Sequence, residues 1–279
     1  KPFLAVLGQE PTASLSLGFF RRLADLLASS WDVERRASRL QRTDDDARKV
    51  GAFEVGIRFE VSRALAAIAL DLPPDAAVAL SEPIRGAMVV DGQEVAAFIE
   101  QLVIGQDGRG ASATFMALWH AFAEAYARAE DRLKYERKDL LRYLFLNVSW
   151  KPGVREWEPL RGHEGDVGAL FRRLTGSAEL IEAFAGFLRS IGTALVPSAL
   201  ADIAEKLAVG NAEVQLTDRA VLRLEPIVSR LIYGGSIPIR RDDRLRTATL
   251  TILDRMIDGG SSSAYRMRDD FLTPLGSRQ

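Results

Sequence analysis

Between residues 111 and 147 the apolar positions Phe115, Leu118, Phe122, Tyr126, Ala129, Leu133, Leu140 and Leu144 recur at steps of three and four or their multiples, the spacing of one helical face. Glu124, Arg128, Glu130, Lys134, Arg137, Lys138 and Arg142 fall on the opposite face. Within it, Glu124/Arg128 and Glu130/Lys134 stand in the favourable acid-before-base order four residues apart. The pattern predicts one helix of about 35 residues and roughly 50 Å, the spine of a bundle, with any bend near Lys138.

The same periodicity places shorter helices on either side. Pro11, Thr12 and Ser14 offer a start for a helix over 13–31, with Leu15, Phe19, Leu23, Leu26 and Leu27 inward. Thr43 ahead of Asp44, Asp45 and Asp46 reads as a hydroxyl N-cap followed by carboxylates where the helix dipole favours them. The helix from there buries Val50, Phe53, Ile57, Val61, Leu65 and Ile68 and stops at Pro73 and Pro74. Residues 76–80 read as a helical turn, and residues 87–90 as a strand entering a tight turn at Asp91 and Gly92, which would make one short hairpin. Residues 93–104 return to helix with Val95, Phe98, Ile99 and Leu102 inward. Gly105, Gly108 and Gly110 then form a surface loop, since neither a preceding apolar strand nor a following Lys-Ser/Thr supports a phosphate-binding loop.

Residues 148–166 hold two prolines, three glycines and two tryptophans without helical spacing, and read as a linker packed onto a neighbour. Beyond it, helices are predicted near 166–175, 178–195, 198–209, 217–233, 241–258 and 263–271, with breaks of a few residues that imply antiparallel neighbours. Thr217 and Asp218 cap a helix carrying Pro226, where a kink is expected. The next helix begins at Asp242 and Asp243 and buries Leu245, Ala248, Ile252 and Met256. The run Asp243-x-Leu245-Arg246-x-Ala248 is similar to the inner helix of a HEAT repeat, a resemblance covering residues 217–258 with no second copy at a fixed period. The expected fold is all-α: a multi-helix bundle over 1–150 around the central helix, then an irregular helical array over 151–279 with one HEAT-like antiparallel pair. The two could pack as one continuous domain.

Composition narrows the classes further. At 47% hydrophobic and 27% charged, the 279 residues are in the range of a chain that buries a substantial core. A formal net charge of −1 argues against a surface given over wholly to nucleic acid or anionic lipid. Zero cysteines exclude disulfides, thiol nucleophiles, thiolate zinc and iron–sulfur ligation, and two histidines cannot build an all-histidine metal site. No apolar run is long enough for a membrane span, and residues 1–10 lack signal-peptide character, so the expected location is cytoplasmic. Six of the 37 basic residues are Lys, leaving 37 − 6 = 31 Arg, a bias that suggests a GC-rich bacterial coding sequence. A start at Lys1 rather than Met suggests a processed form or a piece of a longer protein.

Candidate chemistry is sparse. His120 and Glu124 lie one helical turn apart, a spacing that could align a base with a carboxylate or two metal ligands, but no third group accompanies them; the favoured reading is a packing histidine beside Trp119 and Phe122. His163 next to Glu164 reads as a surface position. Asp44, Asp45 and Asp46 resemble the aspartate clusters with which helical isoprenoid-processing enzymes hold magnesium and diphosphate. Such sites need a second converging cluster, and capping accounts for all three residues. No serine elbow, His-Glu-x-x-His or dinucleotide fingerprint is present, so no catalytic residue, cofactor or metal is expected.

The most distinctive polar features are arginine clusters. Arg240, Arg241, Arg244 and Arg246 are interleaved with Asp242 and Asp243, and Arg266 and Arg268 precede Asp269 and Asp270. Guanidinium forks grip carboxylates or phosphates, so a groove between these two helices could take an acidic partner; internal Arg–Asp pairing is the favoured reading, ahead of protein contact and then phosphate contact. Arg35, Arg36, Arg39 and Arg42 form a basic edge less diluted by acids and are the better phosphate candidates. The leading expectation is a non-enzymatic scaffold or protein-interaction module, a bacterial subunit or fragment of a larger assembly whose partner is another protein or domain. A nucleic-acid-binding subunit is the second, and a helical enzyme acting on a phosphorylated or apolar substrate the third.

Overall fold

The computed structural model describes residues 61–89, 92–104, 111–133, 137–145, 160, 162–191, 196–208, 214–234 and 239–273. Among them every regular element is a helix: a stretch over 61–70, then α1 (Pro74–Leu80), α2 (Glu82–Gly86), α3 (Gly92–Ile104), α4 (Ala113–Ala129), a 3-10 turn (Glu130–Arg132), α5 (Arg137–Leu144), α6 (Glu164–Arg173), α7 (Ala178–Ile191), α8 (Val196–Ala208), α9 (Asp218–Tyr233), α10 (Asp243–Asp258) and α11 (Ser262–Leu272). No described helix is long and apolar enough to cross a membrane. The helices belong to two compact units, one holding the described residues through Leu144, the other Phe145 and those from Leu160 onward.

In the N-terminal unit, Pro74 sits at the start of α1, where its missing N–H is harmless, so the proline pair ends one helix and opens the next. Residues 87–89 form a turn and not the expected strand, because the Ala87 amide continues helical bonding to Pro83 O and Ile84 O and Met88 N bonds Arg85 O. Helix α4 starts at Ser112, whose hydroxyl accepts from Phe115 N at 3.0 Å. It packs on α1, and Thr114 Oγ1 donates to Leu72 O at 2.8 Å. All eight apolar positions read as one face between 111 and 147 are buried, and Phe122 meets Phe98 of α3 at 5.2 Å between ring centroids.

The single long helix is nevertheless not what forms. α4 ends at Ala129, the 3-10 turn follows, and Leu133 is extended at φ −79°, ψ 118°. The chain then reverses: α5 packs on α3 and α4, and Trp119 Nε1 donates to Leu144 O at 2.9 Å. In a straight helix those two residues would be about 38 Å apart. The break lies ahead of Lys138. Glu130 accepts from Arg137 Nη2 at 2.9 Å across the corner, while its expected partner Lys134 lies outside the described residues. Replacing Trp119 by Phe keeps an aromatic ring in the core but removes part of its volume and leaves the buried Leu144 carbonyl without its donor. A stability loss of about 1–3 kcal/mol in urea unfolding is expected.

Tyr143 of α5 faces Glu100 of α3, and its phenol is pushed up to about 12 from the ordinary 10.0 by burial first and by the Glu100 charge and hydrogen bond second. Because the folded state holds this proton more tightly, the stabilisation is complete below about pH 10 and is lost as pH rises through about 12. In a phenolate absorbance titration, Tyr143→Phe should remove a late-ionising step, and Glu100→Gln should move that step part of the way back.

In the C-terminal unit, α9 lies on α7, α10 on α8, α6 on α8, and α11 on both α10 and α9. Val221 near the start of α9 lies against Gly259 at the end of α10. The expected capping of α9 forms, with Thr217 Oγ1 accepting from Ala220 N at 3.1 Å and also donating to the buried Glu182 of α7 at 3.3 Å. Arg223 Nη1 reaches Glu182 O at 3.0 Å, so α9 is tied to one residue of α7 twice. Helix α9 runs through Pro226, which is exposed. On α10, Ala248, Ile252 and Met256 are buried as expected, but Leu245, in the first turn, is only half-buried. Gly260 ends α10 at φ 87°, and Ser261 N bonds back to Met256 O at 2.9 Å, a tight reversal that only glycine adopts without strain.

Candidate functional site

The two arginine–aspartate clusters lie on α10 and α11. Asp242 is the N-cap of α10, accepting from Leu245 N at 3.1 Å. Arg240, just before it, reaches the far end of α11. Its Nη1 donates to Thr273 O at 3.0 Å and its Nη2 to Asp270 O at 2.8 Å, while the guanidinium lies 5.4 Å from the Phe271 ring centroid. A cation is thus placed on the last carbonyls of α11, where the helix dipole favours it. Arg268 Nε pairs with Asp254 Oδ1 of α10 at 2.5 Å, and Tyr233 OH of α9 donates to Asp270 Oδ2 at 2.7 Å.

These bonds close the seam where the sequence suggested an open groove, and they divide the six arginines. Arg240 and Arg268 hold helices together, in line with internal pairing. Arg241, Arg244, Arg246 and Arg266 are exposed, and among the described residues their side chains make no ion pair or hydrogen bond. The four do not meet at one point. Arg268 pairs with Asp254, ten residues and about 15 Å along α10 from Arg244 in its first turn, and Arg266 lies two residues before Arg268 on α11. Arg244 and Arg246, two residues apart, also point about 200° apart around α10.

The other candidates are dispersed. Arg35, Arg36, Arg39, Arg42, Asp44, Asp45 and Asp46 lie outside the described residues. His120 is exposed with its ring edge-on to Trp119 at 5.1 Å, and Glu124 lies 4.0 Å from Arg128. His163 precedes α6 as its N-cap residue, with Nδ1 3.4 Å from Asp166 Oδ2. Among the described residues no three His, Asp or Glu side chains gather as a metal site. Arg85 is no free cation either: its Nε donates to Ser81 Oγ and its Nη2 to Val78 O, both at 3.0 Å, and burial lowers its affinity for the proton.

No protein-family model matches the chain, and no curated protein matches it.

Sequence reasoning missed a set of buried charged groups. Glu130, Glu182 and Asp202 are each under a tenth exposed, and each meets an arginine from elsewhere in its unit. The available signal was an acid inside an apolar stretch, such as Asp202 between Leu200 and Ile203.

Proposed function

We propose that this chain is a non-enzymatic helical scaffold whose C-terminal array docks an acidic protein segment through Arg241, Arg244, Arg246 and Arg266. The observation that carries this reading is the unequal use of the arginines. Two are taken up in holding α10 and α11, which makes the surface rigid, and four keep their donors for carboxylates. The lengthwise separation of Arg244 and Arg266, about 15 Å, suits an extended or helical segment better than a compact anion. The layering of α9 on α7 and α10 on α8 supports a HEAT-like array, in which successive helix pairs build a continuous side for a partner.

Affinity purification from the native cell extract, at low and high salt with and without nuclease, tests the proposal. The expected result is a stoichiometric protein that survives nuclease and weakens as salt rises. Material that vanishes with nuclease would replace this reading by phosphate contact.

A further inference from the structure

A small cavity opens in the C-terminal unit among α6, α7 and α8, with a volume of about 90 Å³. Phe184, Phe187 and Leu188 supply apolar wall, and Glu164, Arg172, Ser198 and Asp202 supply the polar groups. Two features separate it from a packing gap. Gly165 and Gly168 of α6 both line it, although no atom lies within 4 Å of a Cβ built on Gly165 and only the Arg172 side chain, at 3.4 Å, meets one on Gly168. At Gly168, inside α6, glycine costs about 1 kcal/mol relative to alanine, and no packing contact demands it. The second feature is Asp202. The residue is 8% exposed, its Oδ2 accepts from Arg172 Nη1 at 3.0 Å, and its Oδ1 has no hydrogen-bond partner.

Charge and size select the ligand. The deeply placed charge is the Asp202 carboxylate, with Glu164 as a second, whereas the one cation, Arg172, has a side chain 54% exposed and can turn to water. Aromatic rings in the wall also favour a cation. The volume is far below the roughly 300 Å³ of pockets for drug-sized molecules. We infer that this cavity takes the end of a short primary alkylammonium, which binds Asp202 in competition with Arg172. The same chemistry is offered by a free amine and by the tip of a partner's lysine.

The test is a titration of the full chain with n-propylammonium chloride, read by amide NMR shifts of residues 164–168 and 198–202, with 1-propanol and propionate as controls. Saturable shifts for the ammonium alone are expected. Nα-acetyl-lysine amide binding as well as n-propylammonium would assign the site to a lysine side chain, and its exclusion would assign it to a free amine. Asp202→Asn should weaken binding at least tenfold. Arg172→Gln removes the competitor and should tighten binding about fivefold, the equivalent of one exposed ion pair; it also serves as the test if Asp202→Asn fails to fold. Absence of saturable shifts, an equal response to 1-propanol or propionate, or an Arg172→Gln affinity that is unchanged or weaker would overturn the inference.

Discussion

Replacing Phe184 by alanine is expected to remove about 3–5 kcal/mol from the C-terminal unit, the largest effect of any substitution considered. Phe184 is fully buried and is the ring on which three others converge: it stacks on Phe171 at 4.0 Å, meets Phe145 edge-on at 5.9 Å and lies 6.3 Å from Phe187. Truncation loses the transfer energy of the ring and the aromatic contacts together. It also merges the vacated space with the adjoining cavity, so neighbours cannot close over it without moving α6 or α8. Urea unfolding followed by far-ultraviolet circular dichroism should register the loss, with Leu222→Ala, at a 65% exposed position, changing stability by no more than about 0.5 kcal/mol. A loss below about 1 kcal/mol for Phe184→Ala would mean that the aromatic cluster does not hold this unit together.

In the N-terminal unit, Glu130→Ala should cost about 2–4 kcal/mol. Glu130 is 7% exposed and holds Arg137 at 2.9 Å across the corner between α4 and α5. Burial works against the Arg137 charge, but contacts with Tyr126 and Glu130 outweigh it and leave the guanidinium's proton affinity raised. Removing the carboxylate therefore strands a partly buried cation whose Nε already lacks a partner. Because most of the penalty lies in that stranded charge, the pair Glu130→Leu with Arg137→Met should recover more than half of it in the same unfolding experiment. A double variant as unstable as the single one would show that the corner depends on the ion pair itself.

That corner also shows what the sequence could and could not reveal. Helical spacing identified Phe115, Leu118, Phe122, Tyr126, Leu133, Leu140 and Leu144 as buried, and they are. Spacing reports which side of the chain faces the core, and a chain that folds back on its own core keeps that side inward, so the break at Glu130 left the pattern intact. Across the corner that follows α4 runs a contact between residues seven apart, Glu130 to Arg137, which no local rule anticipates. Helix starts were more legible because capping is local: Thr217 and Asp242 cap as their positions suggested. The strand expected over 87–90 arose from a short apolar run, which suits strand and turn equally. For the candidate site, the arginines were visible as residue types. Their division into Arg240 and Arg268 against the other four depends on which carbonyls and carboxylates the packing of α10 on α11 brings near, and that is tertiary information.

The central claim, that the four unpaired arginines form the docking surface, is tested most directly by repeating the affinity purification with Arg241, Arg244, Arg246 and Arg266 all replaced by Gln. A second chain with the exposed Arg63, Arg128, Arg132 and Lys138 of the N-terminal unit replaced by Gln matches the change in charge. The account predicts that the first variant, folded as judged by its unfolding curve, recovers at least about tenfold less partner while the second recovers it normally. Equal recovery by both variants would contradict it.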